Sequence, residues 1–141
     1  MRKIFGLLVI LIGLSGCQVG VNEEAAYDYS IEQQRMCFCP QAGGWVRLYI
    51  RADSVADAVR ISDHYHLNEW ERKPYKSIKE LFDTVAQLDT LDYQVIIRVD
   101  PVYNFPSYIY VNPNPVINDD TVVVISDAQW SYATKNYFAF K

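Results

Sequence analysis

The side chains best suited to chemistry in this 141-residue chain are few, and they lie in short clusters. Cys37-Phe38-Cys39 places two thiols two residues apart, with Met36 beside them. Three chemistries suit such a pair. It can close a local disulfide, cycle as a redox dithiol, or chelate Cu(I) through two thiolates with the Met36 thioether as a further soft donor. Residues i and i+2 of an extended chain sit near the upper limit of disulfide Cα separation. A bond here therefore needs a bent backbone, which Pro40 and the Gly43-Gly44 turn can supply. So small a ring adds little through loop entropy. No helix starts after Cys39 to lower a thiol pKa, and the spacing is not C-x-x-C, which argues against redox work. No second cysteine pair completes a tetrahedral zinc site. We read Cys37 and Cys39 as a structural pair, with copper binding or thiol redox chemistry as the alternative.

The histidines are His64 and His66, in Asp63-His64-Tyr65-His66. In an extended segment both imidazoles would point the same way and, with Asp63, make a weak site for Zn(II) or Cu(II). A solvated polar loop is the simpler reading. Asp119 and Asp120, between Asn118 and Thr121, carry carboxylates suited to calcium. The spacing of a helix-loop-helix calcium site is missing, so they are read as turn residues. There is no G-x-S-x-G elbow, no histidine-glutamate zinc motif and no phosphate-cradling glycine loop. The expectation is a protein that is not an enzyme and needs no cofactor, copper being the one exception under the alternative reading.

The remaining candidates are aromatic. The chain has 11 tyrosines, 3 tryptophans and 6 phenylalanines. Trp45 and Tyr49 fall on the side of a strand opposite Val46, Leu48 and Ile50, and Tyr108 and Tyr110 share one face of another. Left uncovered, such residues suit a protein, peptide or glycan partner. The competing expectation is that loops or the C-terminal run Tyr137-Phe138-Ala139-Phe140 cover that second face.

The elements that position these residues follow from hydrophobic period. Tyr27 to Arg35 alternates, with Tyr27, Tyr29 and Ile31 against Asp28, Ser30 and Glu32, as a half-buried strand does. Gln41 to Gly44 reads as a hairpin turn before a second strand over Val46–Ile50. Val55, Val59 and Ile61 suggest a third, broken in pattern by Asp57. Asp63 to Tyr75 is read as a long loop. Ser77 to about Asp89 is the best helix: Ser77 and Glu80 make a capping box, and Ile78, Leu81, Phe82, Val85 and Leu88 form one apolar stripe. Tyr93 to Val99 restores strand alternation, Asp100 to Pro106 is a turn, Ser107 to Asn112 a short strand, and Thr121 to Ala133 the last long one. The expected fold is α+β, a single domain in the order βββαβββ. It would be a mostly antiparallel sheet of about six strands with one helix on a face.

The N-terminus reads as an address. Arg2 and Lys3 precede the apolar run Ile4–Ile12, too short for a permanent membrane span, and Leu14-Ser15-Gly16-Cys17 resembles the bacterial lipobox. That resemblance implies a signal peptide over residues 1–16, a lipidated Cys17 opening a tether over 17–26, and the α+β domain over 27–141. Several acyl chains would anchor the protein durably in a membrane. Gln18 is not the aspartate of inner-membrane retention, so outer-membrane sorting facing the periplasm is expected where an outer membrane exists. Loss of Arg2 and Lys3 from a chain of net charge -4 leaves it more acidic still, a poor partner for nucleic acid. Low-complexity disorder, coiled coil and a multi-span membrane protein are excluded by composition.

Several of these elements together resemble a family of uncharacterised bacterial proteins, mostly lipoproteins, classed as a domain of unknown function. The likeness rests on Tyr27-Asp28-Tyr29-Ser30 running into Arg35-Met36-Cys37-Phe38-Cys39, and on the helix opening Ser77-Ile78-Lys79-Glu80-Leu81-Phe82. It extends to an Asp-x-x-Tyr-(Gly/Asn)-x-Pro turn at Asp100 to Pro106 and to the Asp119-Asp120 corner. Asn104 stands where glycine is usual, and asparagine also tolerates positive φ. The likeness implies kinship and location but no activity. The reading from sequence is an envelope lipoprotein whose domain is a non-catalytic binding or structural module.

Overall fold

A computed structural model describes residues 26–37, 43–88, 91–114, 116–118, 121–123 and 129–140. The expected leader and tether up to residue 25, with Cys17 and Gln18, lie outside the described residues. So do Cys39, Pro40, Asp119 and Asp120. Among the described residues the domain is one six-stranded antiparallel sheet with two short helices. Its strands are β1 (Tyr29–Cys37), β2 (Val46–Arg51), β3 (Ser54–Arg60), β4 (Tyr93–Val99), β5 (Pro106–Pro113) and β8 (Trp130–Ala139), ordered β3-β2-β1-β8-β5-β4. A separate two-stranded ribbon pairs β6 (Val116–Asn118) with β7 (Thr121–Val123).

Alternation decides which side of the sheet is dry. Ile31, Leu48 and Ala58 lie in one row across β1, β2 and β3, all buried, with Val46 and Ile50 beside them on β2. Leu67, Phe105 and Ile78 close over this cluster. A second cluster gathers Ile109, Val111 and Tyr132 under Leu81, Val85 and Leu88. The covering helix, α2 (Ile78–Ala86), opens as its residues require. Ser77 Oγ accepts from the Glu80 amide at 3.1 Å, and the Glu80 carboxylate accepts from the Ser77 amide at 2.7 Å. Phe82 departs from the expected stripe. It is 38% exposed, because only a narrow arc of so short a helix meets the sheet.

Three expectations need correction. Asp63 to Tyr75 is not all loop: α1 (Glu69–Arg72) forms there with its own capping box between Asn68 and Glu71. The third strand buries Ala58 rather than Val59. A β-bulge at Tyr49/Ile50 puts an extra residue into β3, so Val55 and Ala58 share the dry side although three residues apart. Thr121 to Ala133 is not one strand: β7 ends at Val123, and β8 starts at Trp130 and runs on to Ala139. The C-terminal run is therefore no cover laid over the sheet. It is a central strand between β1 and β5.

Two turns are built on positive φ without glycine. Ala52 and Asp53 (φ 49 and 60) link β2 to β3, with the Ala52 amide donating to the Asp28 carboxylate at 2.7 Å. Asn104 (φ 57) sits in the expected Asp100–Pro106 turn, where the Asp100 carboxylate accepts from the Val102 and Tyr103 amides, each at 2.9 Å.

A candidate binding face on the open side of the sheet

The helix α2 packs on one side of the sheet, and the opposite side carries a groove lined by Ser30, Glu32, Arg47, Tyr49, Phe138 and Phe140, with Asn136 and Tyr137 also lining it. Its centre is Glu32, 6% exposed. One carboxylate oxygen accepts from Arg47 Nη2 at 2.8 Å and the other from Asn136 Nδ2 at 2.7 Å, with Lys135 Nζ 4.0 Å away. A buried carboxylate needs such partners, since an unpaired one would cost several kcal/mol. The hydrogen bond to Glu32 holds the Arg47 guanidinium above its ordinary pKa, so the cation stays charged.

A single irregularity assembles this centre. Glu32 pairs with Lys135 and Ser30 with Phe138, so β8 carries one extra residue opposite β1. Asn136 takes positive φ there (54°), a conformation asparagine tolerates. The bulge turns Tyr137 toward the helix side, where it meets Tyr29 and Phe105. It leaves Lys135 and Phe138 on the open side, three residues apart, with the Asn136 amide beside Glu32.

Aromatic rings border the groove. Tyr49 lies 5.1 Å from Tyr27 and 6.3 Å from Phe140, and Phe138 meets Phe140 edge-on at 5.2 Å. Lys135 Nζ stands 3.9 Å over the Trp45 ring, and the Arg51 guanidinium 5.1 Å from Tyr27. Trp45 and Tyr49 thus stand at this groove. Tyr108 and Tyr110 share the same open face farther across the sheet: Tyr108 pairs with Ala133 beneath Arg98, and Tyr110 lines a separate recess with Met36, Gln129 and Trp130. The four aromatic candidates form two places, not one. Sequence reasoning missed Glu32, Arg47, Asn136, Phe138 and Phe140, because the bulge that gathers them leaves no motif.

The metal candidates do not converge. Met36 pairs with Ser131 and Cys37 with Trp130, so the two leave β1 on opposite faces. Cys37 is not free. His64 adopts φ 57, which breaks the extended geometry that would align it with His66. His66 instead meets Asp57 at 3.0 Å, while Asp63 meets Arg60 at 3.0 Å. Among the described residues no three His, Cys, Asp or Glu side chains gather as a metal site.

Residues 21–129 match DUF6174, a family of unknown function. The chain belongs to that family. The DUF6174 match includes Glu32, Arg47 and Tyr49 but stops one residue before β8, the strand that supplies Lys135, Asn136 and Phe138. No curated protein and no solved structure matches the chain.

Proposed function

We propose that this chain is a lipid-anchored protein of the bacterial envelope, held by an acylated Cys17, and that its sheet domain is a non-catalytic binding module. Its partner, an envelope protein or glycan, meets the open face of the sheet. The observation that carries this reading is the groove itself. A fixed polar centre of Glu32, Arg47 and Asn136 lies inside a border of Tyr49, Phe138 and Phe140, the mixture of aromatic and arginine that recognition surfaces favour. The test is a photo-crosslinking residue in the full chain, in its own membrane, at Phe138 and separately at Phe82 on the helix side. A discrete adduct from position 138 alone is expected, weakened by Tyr49→Ala. No adduct at 138, or the same adduct from both positions, overturns the reading.

The Cys37–Cys39 pair belongs to the structural part of this proposal, as a local disulfide. Support comes from Cys37, which is not free, and from Met36, which leaves the strand on the other side. Intact mass with and without a thiol alkylating reagent decides it. A chain two hydrogens light that takes no label carries the bond. Two freely labelled thiols would sink the disulfide and favour copper.

A further inference from the structure

The two edges of the sheet are finished differently. At β3 the edge is closed: Val59 bridges to His66, and the Arg60 and Leu67 amides donate to the Tyr65 and Ala58 carbonyls at 2.9 and 2.8 Å. Asp57 adds a charge there, tied to His66 and Arg72. Closing an edge and charging it are two ordinary protections against pairing with another chain. β4 has less of both. Among the described residues no strand pairs on its outer side. Its one charge, Arg98, leans over the Tyr108 ring, 5.7 Å from the ring centroid. Ile96, Ile97 and Val99 are 43%, 40% and 44% exposed. Ile96 lies on the open face, in the row of Tyr110 and Ser131, while Ile97 lies on the helix face, in the row of Ile109 and Tyr132. Apolar surface therefore flanks this edge on both sides.

The ladder also tells which backbone groups of β4 point away from β5. The Asn114 amide donates to the Asp92 carbonyl. By the alternation of antiparallel pairs, Gln94 and Ile96 then also turn their amides and carbonyls toward β5, and Tyr93, Val95 and Ile97 turn theirs outward. Tyr93 lying opposite Pro113, which has no amide to give, agrees with this.

We infer that β4 is a homodimer interface, pairing antiparallel with the β4 strand of a second copy about a two-fold axis at Ile96. The strand is complementary to itself in that register. Val95 and Ile97 of one copy exchange both backbone hydrogen bonds with Ile97 and Val95 of the other. Ile96 meets its own counterpart in the close pair between them, and Tyr93 meets Val99. The only charge, Arg98, falls opposite the Gln94 amide, so no like charges face each other. The register shift at Arg98/Val99 and the Asp100 turn end the pairing there. The two sheets join into one of twelve strands, and the interface is isologous, as a closed two-fold dimer requires. This inference stands apart from the groove, which lies across the sheet around β1, β2 and β8.

Cysteine cross-linking in the full chain, in its membrane, tests it. Ile96→Cys should give a covalent dimer on mild oxidation, because residues facing themselves across a close antiparallel pair lie within disulfide reach. Tyr108→Cys, on the same face but on β5, should give none. Adding Arg98→Glu and Gln94→Glu to Ile96→Cys sets acids opposite each other and should reduce the dimer band several-fold. These outward residues lie outside the core, so folding is retained, and near-UV circular dichroism checks it. No covalent dimer from Ile96→Cys, equal bands from positions 96 and 108, or a band indifferent to the paired acids would each overturn the interface.

Discussion

Gln33 is fully buried on β1, and its amide group bonds to backbone. It clamps the backbone of Lys76, donating to the carbonyl and accepting from the amide, each at 3.0 Å. A primary amide does this because it presents a donor and an acceptor side by side, as a neighbouring strand would. Gln33→Leu removes the partner of both part-buried Lys76 groups, and should cost about 1–3 kcal/mol in urea unfolding. Gln33→Glu is the sharper comparison. It keeps the bond from the Lys76 amide, while the carbonyl finds a donor only when the introduced acid is protonated. Buried, that acid has its pKa raised on folding, so the variant should recover stability at low pH and lose it as pH rises. Equal destabilisation at all pH values would remove the clamp from the account. Nothing in the Glu32-Gln33-Gln34 run singles out the middle residue, since an alternating strand is expected to put apolar side chains at such positions.

The helix α2 is the element whose local signals and tertiary role agree. Its capping box was legible because the reciprocal bonds join residues three apart, within one turn. The sheet then adds contacts that no local pattern carries: the Tyr29 hydroxyl oxygen accepts from the Ile78 amide at 3.0 Å, and the Tyr132 hydroxyl donates to the Pro74 carbonyl at 2.5 Å. Ser77→Ala should cost about 1 kcal/mol, the ordinary value of an N-cap. Leu81→Ala, emptying a site 1% exposed, should cost about 2–5 kcal/mol. Chemical denaturation of the two variants checks the order. A Ser77→Ala cost as large as that of Leu81→Ala would mean that the cap anchors the helix more than its packing does. The strands were legible unevenly. Alternation located β2 and β4 closely, but it mis-set β3 at Asp57, because a bulge shifts the period without changing composition, and it ran β7 into β8, which belong to different sheets.

At the scale of the whole molecule, three tyrosines join the helical layer to the sheet, and burial raises the pKa of each above its usual value near 10: Tyr29, Tyr75 and Tyr132. A pKa raised on folding means that the stability is fully present below the unfolded value and is lost as pH rises toward the folded one. The domain should therefore hold its urea midpoint up to about pH 10 and lose it above, with tyrosinate absorbance rising as it unfolds. Tyr132→Phe should flatten that alkaline loss; an unchanged slope would place its cause elsewhere. Properties that depend on neighbours along the chain are readable from residue order. These are the capped helix, the alternating strands, the Asn104 turn, and Tyr49 facing away from Leu48. Tertiary structure alone decided the rest. It placed the C-terminal strand in the middle of the sheet, set the bulge that brings Asn136 to Glu32, and closed the β3 edge. The reason is separation: Glu32 and Asn136 stand 104 residues apart, and hydrogen bonding across that distance depends on strand order and register, which no local period encodes.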